Sequence, residues 1–397
     1  MIIRPKVRGF ICVTTHPTGC AANVARQVEH ARSHPIADPP RCALVLGSST
    51  SYGLGSRIAL AFGGNAATLG VFFDKAPTER RPGTAGWYNT AAFEATANEA
   101  GLTSASFNAD AFSHDTKARV VEILKDRFPP VDLVVNSVAS PRRVHPDTGV
   151  AHMSVLKPIG EPYESRSVNT DTGEVVDVSL EPATSEDIAN TVAVMGGEDW
   201  RMWMDALEDA GVLADGCRTL SYSYIGPEMT WPIYKDGTIG KAKADLHRTA
   251  ADLNTRLEAR GGSAHIAVMK AVVTQSSAAI PVVPLYISIL YKVMKEAGDH
   301  EGPMEQAMRL FGTKLFGREG AVTDGDGFIR LDDLEMKEAT QAAVHEIWPR
   351  VNTENLNELS DFEGYKDDFL RLFGFGVEGV DEEADVDPLV SIPNLVE

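Results

Sequence analysis

The chain has 397 residues, with 37 Lys and Arg against 56 Asp and Glu, and a formal net charge of −19. Its 43% hydrophobic, 23% charged and 7% aromatic make-up is that of a globular protein and excludes collagen-like, disordered and membrane-embedded chains. The surplus of negative charge argues against nucleic acid or an anionic membrane as the main partner.

From the N-terminus, residues 1–12 carry Arg4, Pro5, Lys6 and Arg8 but no long apolar core, so they do not read as a signal peptide. Cys12, Cys20, Cys42 and Cys217 form no C-x-x-C pair and predict neither a zinc site nor a disulfide framework; a reducing cytoplasm is the expected location. Short apolar runs at Ala43–Gly47, Thr68–Phe73, Ala105–Phe107, Val131–Ser137, Arg218–Ile225 and His265–Lys270 predict strands buried on both faces. Helical patterns fall between them at Tyr52–Ala61, Lys117–Arg127, Asp199–Ala210 and Gly240–Arg260. That alternation predicts βαβ units and an α/β, Rossmann-like, doubly wound parallel sheet. Residues 141–182 break the rhythm, and Asn169-Thr-Asp-Thr-Gly173 predicts a hairpin insertion. The apolar run Ala278–Tyr291 is too short to span a membrane and holds Pro281 and Pro284, so it reads as buried or ligand-facing. Residues 377–397 carry seven acidic and no basic residues, and an acidic, flexible tail is expected there.

The first strand runs into Gly47-Ser48-Ser49-Thr50-Ser51-Tyr52-Gly53-Leu54-Gly55. A small-residue turn from strand to helix lets backbone N–H groups approach a pyrophosphate, and the helix N-terminus favours the negative charge. The spacing is not G-x-G-x-x-G, and a tight turn without a ligand gives the same pattern. The second strand ends at Phe73-Asp74; an acid there accepts from the adenosine ribose and repels a 2′-phosphate, which favours NAD(H). Asp110-Ala111 and Val138-Ala139 fall at the next two strand ends, on the edge where such sheets bind ligands.

The segment from Tyr222 to Lys243 holds the densest chemistry. A phenol donates a proton or hydrogen bond at neutral pH, and a nearby ammonium biases it toward ionisation. Lys241 and Lys243 compete as partners of Tyr234. At about 100° per residue, Lys243 lies roughly 45° from the apolar stripe Ala242, Leu246, Ala250, Leu253 and Leu257, whereas Lys241 lies roughly 155° away. Lys243 therefore borders the buried side.

With these residues assembled, the chain resembles the FabV-type trans-2-enoyl-thioester reductases. The likeness runs through the opening Met1 to Ile11, Thr15-His-Pro-Thr-Gly-Cys20, Tyr52-Gly-Leu54, Lys75 to Asn89, Asp110-Ala-Phe-Ser-His114, Leu156-Lys-Pro-Ile-Gly160, Val194-Met-Gly-Gly197, Thr230-Trp-Pro-Ile-Tyr234 and Leu370 to Gly376. The resemblance implies one enlarged short-chain-dehydrogenase-like domain over residues 1–376. It implies NADH-dependent reduction of the C2–C3 double bond of enoyl-ACP or enoyl-CoA in fatty acid synthesis. The family's Tyr-x8-Lys pair falls on Tyr234 and Lys243 and its substrate-contacting tyrosine on Tyr224. Its cofactor contacts fall on Gly47 to Tyr52, Phe73, Asp74, Asp110, Ala111, Val138, Ala139, Lys243, Val272, Val273 and Thr274. Ser51 stands where the family usually has glycine, and serine accepts a positive φ poorly. Asp74 replaces the usual Glu, and Gly55 is atypical.

The implied roles are Tyr234 donating to the enolate oxygen, Tyr224 holding the same oxygen, and Lys243 binding the nicotinamide ribose and biasing Tyr234. Residues 276–294 are expected to cover the acyl chain. Arg80, Arg81, Arg142 and Arg143 are the candidates for docking an anionic carrier. No metal is expected, and a monomer is. Two rivals remain: a carbonyl (3-ketoacyl) reductase, whose Tyr-x3-Lys fails because Thr238 is four after Tyr234, and a non-catalytic NADH-binding sensor.

Overall fold

The computed structural model describes residues 1–9, 11–316 and 320–397; Phe10 of the opening motif lies outside them. Eight strands form the main sheet: β1 (Cys42–Leu46), β2 (Ala67–Phe72), β3 (Ser104–Asn108), β4 (Val131–Asn136), β5 (Leu213–Ser223), β6 (Ser263–Val268), β7 (Ile329–Arg330) and β8 (Leu395–Val396). They lie in the order β7-β6-β5-β4-β1-β2-β3-β8, and all the pairings are parallel. The chain winds outward one way from β1 through β2 and β3, then the other way from β4. That reversal makes the fold a doubly wound, Rossmann-like α/β sheet and opens a crevice at the carboxyl ends of β1 and β4.

The strands form because their residues are apolar on both faces. Ala43 and Val45 of β1 pack with the helices Pro17–Ser33, Ser51–Ile58 and Ala85–Glu99. Leu44 and Leu46 point to the opposite layer, with Trp200 and Trp203 of the helix Glu198–Asp209 and Leu246 and Leu253 of the helix Thr238–Glu258. A third apolar body joins the helices Val283–Ala297 and Phe362–Arg371 to Tyr234, Ala271 and Val273. The run Ala278–Tyr291 thus lies largely inside this body.

The insertion contains two antiparallel ribbons, Arg142–Val144 with Ala151–Met153 and Tyr163–Val168 with Val175–Leu180. The second turns at Asn169–Gly173. There Asn169 Oδ1 accepts from the N–H of Asp171 at 2.9 Å, and Gly173 takes a φ of +73°.

The acidic C-terminus is ordered rather than a free tail. Val386 N–H donates to the Met1 carbonyl at 3.1 Å. Trp87 and Tyr88 donate to the carbonyls of Val390 and Pro388, both at 2.8 Å. Ile392 is buried, and β8 pairs with Ser106 and Phe107 of β3. The physical reason is the open edge of β3, whose backbone groups need a partner.

Candidate active site

The sequence-predicted residues gather at the carboxyl ends of the parallel strands. The Gly47–Thr50 turn follows β1 and runs into the helix Ser51–Ile58, Phe73-Asp74 follows β2, and Asp110-Ala111 follows β3. Val138-Ala139 follows β4, Tyr224 follows β5 and Val272–Thr274 follows β6. Gly47 has a φ of +79°, and a Cβ on it would meet the Ser137 carbonyl at 2.5 Å. Glycine there lets the ends of β1 and β4 close on one another.

The helix Ser51–Ile58 has no acidic residue in its first turn and no side-chain cap from Thr50, so its leading N–H groups are open to an anion. Ser51 takes a φ of +46°, and its Oγ is buried without a hydrogen-bond partner. The left-handed conformation costs a non-glycine residue about 1–2 kcal/mol. Glycine's looser unfolded chain returns about 0.4–1 kcal/mol of that, and burying the orphan hydroxyl adds a further cost. Ser51→Gly should therefore stabilise the chain by about 1 kcal/mol. Urea unfolding measures this, and an unchanged or lowered stability would refute the strain.

Asp74 is mostly buried and anchored on both oxygens. Oδ2 accepts from Ser49 Oγ at 2.7 Å and Oδ1 from Thr84 Oγ1 at 2.6 Å. Burial raises its pKa, and these two donors act against that. A carboxylate has about four lone-pair sites, so room remains for a diol. Phe73 beside it is 77% exposed, a bare ring next to the turn. Ala111 is fixed through its carbonyl, which accepts from Lys117 Nζ and Trp203 Nε1, both at 3.0 Å; Lys117 is itself paired with buried Asp199 at 2.7 Å.

Tyr234 and Tyr224 meet edge-to-face, ring centroids 4.9 Å apart at 75°. Tyr234 sits at the end of a tight turn, its N–H bonded to the Thr230 carbonyl at 3.0 Å. The helix Thr238–Glu258 starts four residues later. Its Thr238 N–H donates to the Lys157 carbonyl at 3.0 Å, which ties the helix start to the insertion. On that helix Lys241 is exposed, whereas Lys243 Nζ turns inward and donates to the Tyr222 carbonyl at 2.8 Å. The helix-face distinction drawn from sequence therefore matches the two lysines' positions. Burial pushes Lys243 down to about 8. Burial, then the charge of Glu335, raises Tyr234. Among the described residues Tyr234 makes no side-chain hydrogen bond, so its hydroxyl is uncommitted.

Two residues escaped the sequence reading in any specific role. Glu335 is fully buried and accepts from Tyr224 Oη at 2.9 Å and Tyr286 Oη at 2.7 Å. No local pattern in Leu331-Asp-Asp-Leu-Glu-Met336 marks that carboxylate as buried. Arg143, grouped in sequence with a docking patch, is buried. It donates to the Ala193 carbonyl at 2.6 Å and pairs with Glu198 at 2.8 Å, so it is not available to a carrier. Arg80, Arg81 and Arg142 are exposed.

Three family models match the chain: trans-2-enoyl-CoA reductase catalytic region over residues 81–316, its NAD(P)H binding domain over 2–79, and an enoyl reductase FAD binding domain over 323–386. The enoyl-[acyl-carrier-protein] reductase [NADH] 1 of Vibrio parahaemolyticus is 55% identical over 98% of both chains. The enoyl-[acyl-carrier-protein] reductase [NADH] of Edwardsiella ictaluri is also 55% identical, over 98% of both. The crystal structure of Treponema denticola trans-2-enoyl-CoA reductase in complex with NAD superposes with a TM-score of 0.94 at 47% identity, covering 97% of this chain and 98% of that one.

The chain belongs to the trans-2-enoyl-CoA reductase family.

The family's two nucleotide names fare differently against this structure. The strand–turn–helix at Gly47, the anchored Asp74 and the bare Phe73 ring suit a dinucleotide, and these residues would hold NAD(H). Residues 323–386, which carry the flavin name, do not suit a flavin. Their aromatic side chains Phe362, Tyr365, Phe369, Phe373 and Phe375 are spent in the apolar core against the helix Val283–Ala297. That segment instead contributes β7 to the sheet and Glu335, the buried partner of Tyr224. Among the described residues, no helix is long and apolar enough to cross a membrane.

Proposed function

We propose that this chain is an NADH-dependent oxidoreductase that reduces the C2–C3 double bond of trans-2-enoyl thioesters in fatty acid synthesis, in the cytoplasm. The observation that carries it is Tyr234, whose hydroxyl makes no hydrogen bond among the described residues and whose ring meets Tyr224 edge-to-face. The named activity of relatives 55% identical over nearly the whole chain supports the same reading.

NADH, when bound, supplies the hydride, which goes to C3 of the substrate. Negative charge then develops on the thioester oxygen. Tyr234 donates to that oxygen, and the proton that completes the reduction arrives at C2 from Tyr234 directly or through water. Lys243, whose Nζ donates to the Tyr222 carbonyl, would bind the nicotinamide-side ribose. Val272–Thr274 would line the nicotinamide end. Val273 N–H is held by Tyr291 Oη at 3.1 Å, and Thr274 caps the short helix after it. Tyr224 lines the substrate side, with the helix Val283–Ala297 as the apolar cover. Coenzyme A and acyl carriers are anionic, so they dock through Arg80, Arg81 and Arg142. The reader of this thioester acts as a monomer.

Steady-state NADH oxidation with crotonyl-CoA tests the reading. We expect turnover with crotonyl-CoA and none with a 3-ketoacyl-CoA, which separates it from a carbonyl reductase. We expect kcat/KM for NADH at least about tenfold above NADPH, because Asp74 repels a 2′-phosphate. Equal values would refute that role for Asp74, and no turnover on any enoyl thioester would favour a sensor.

A further inference from the structure

Glu335 lies in the turn between β7 and the helix Glu338–Ile347, with no solvent exposure. Three donors reach its carboxylate. Tyr224 and Tyr286 hydroxyls meet Oε1, and the Ala271 N–H meets Oε2 at 2.7 Å. Gln341 fixes the direction of one of these protons. Its Nε2 lies 2.8 Å from the Glu335 carbonyl oxygen, which can only accept, so that amide atom is the nitrogen. The same Nε2 lies 3.2 Å from the Tyr286 oxygen, which therefore accepts and leaves its proton for Glu335.

The titratable groups facing this carboxylate are Lys270, Tyr52, Tyr224, Tyr234, Tyr286 and Tyr291. Burial raises the Glu335 pKa, and the ammonium of Lys270, itself buried, acts against that rise. As a carboxylate Glu335 can only accept, so the Tyr224 proton points at Glu335 and away from the cleft, and Tyr224 then lines the substrate side without donating to the thioester oxygen, unlike the role the resemblance implied. Tyr224 in turn sets the edge against which the Tyr234 ring packs. Ala271 begins the segment that leads to Val272–Thr274. One buried carboxylate thus joins the substrate-side tyrosines to the strand end assigned to the nicotinamide.

We propose that Glu335 is a positioning residue of the reduction: it holds the hydroxyl proton of Tyr224, fixes that ring against Tyr234, and leaves Tyr234 as the donor to the thioester oxygen. This rests on the enoyl reductase reading above. Turnover of crotonyl-CoA by the unmutated chain tests that reading by itself, and the cycle below tests only Glu335.

The experiment is a double-mutant cycle on kcat with Glu335→Gln and Tyr224→Phe, alongside NADH binding followed by fluorescence. Glutamine can still accept from the Ala271 N–H, so NADH affinity is expected within about threefold of wild type. Its amide would face Tyr224 with a donor and release the tyrosine's proton. We expect Glu335→Gln to lower kcat at least about tenfold with KM for crotonyl-CoA within about threefold. Because Glu335 acts through Tyr224, the double variant should fall no more than about threefold below the worse single one. Losses that multiply independently would mark a purely structural carboxylate and overturn the proposal, as would wild-type kcat in Glu335→Gln. If Glu335→Gln does not fold, Tyr286→Phe carries the same cycle. Its loss should vanish in the Tyr224→Phe background, and an equal loss in both backgrounds overturns the proposal.

Discussion

Tyr234→Phe should lower kcat about 10²–10³-fold, the usual cost of losing one donor where oxyanion charge develops. NADH affinity should stay within about threefold. The phenyl ring keeps the edge-to-face contact with Tyr224, and only the hydroxyl is lost. The Gly47–Tyr52 turn is anchored elsewhere: Asn89 Nδ2 donates to the Ser49 carbonyl at 3.0 Å, and the Tyr52 hydroxyl donates to the Lys270 carbonyl. Burial and the Glu335 charge hold the Tyr234 pKa above the ordinary phenol value of about 10, so the donor is fully protonated through neutral pH. Burial acts on Lys243 with the opposite sign and brings it down to about 8. An alkaline fall in kcat/KM near pH 8 is expected from loss of a buried lysine proton, Lys243 or Lys270, which burial also pushes down to about 8, and it should survive in Tyr234→Phe. Steady-state rates against pH, with NADH titrated separately, decide the matter. A variant within tenfold of wild-type kcat removes Tyr234 from the chemistry.

What could be read from the sequence was what local periodicity controls. The strand runs were legible because each is apolar on both faces, and β1 to β6 lie within a few residues of the predicted runs; the largest difference is the early start of β5 at Leu213. The inward side of Lys243 was legible because a helix of 21 residues repeats its apolar stripe several times, which fixes the register of every residue on it. Ser51 was legible as a stressed position only through the resemblance, which puts glycine at that place in the turn. Its φ of +46° is what that substitution demands if the turn keeps its path.

The illegible parts depend on partners far away in sequence. The C-terminal residues looked like a solvated tail because Leu389, Ile392 and Leu395 are scattered among acids without a period. Leu395 pairs with the edge of β3, nearly 300 residues earlier, and Ile392 packs with Phe72, Trp87 and Tyr88, while Leu389 stays exposed; only assembly of the sheet reveals that the edge needs covering. Arg142 and Arg143 differ because successive strand residues face opposite sides, and a three-residue strand is too short to announce its register. Glu335 is the extreme case. A carboxylate in a short acidic turn reads as solvated until the tyrosines of two other elements are brought onto it.

The second large effect concerns stability, and it arises under the cofactor turn. Arg57 and Glu94 are 1% and 0% exposed and pair at 2.6 Å. Arg57 donates to Ser106 Oγ at 2.7 Å and the Ala105 carbonyl at 2.6 Å, and its guanidinium lies 4.1 Å from the centre of the Phe93 ring. Glu94 accepts from Ser104 and Ser106, both at 2.5 Å, and from Asn394 Nδ2 at 3.3 Å. The pair therefore joins the helix after β1, the strands β2 and β3 and the segment just before β8. Gly70 leaves the space it fills, since a Cβ there would meet Ser48 Oγ at 2.5 Å and the guanidinium at 2.6 Å. Removing one partner leaves the other charge buried and uncompensated, which costs about 3–5 kcal/mol. Glu94→Ala should lose that much in urea unfolding and weaken NADH binding through Ser48. Replacing both charges removes the desolvation penalty along with the attraction, so Arg57→Met with Glu94→Met should be more stable than Glu94→Ala alone. If the double variant is instead the less stable of the two, the pair contributes net attraction beyond its desolvation cost, and the uncompensated charge is not what makes the single change harmful.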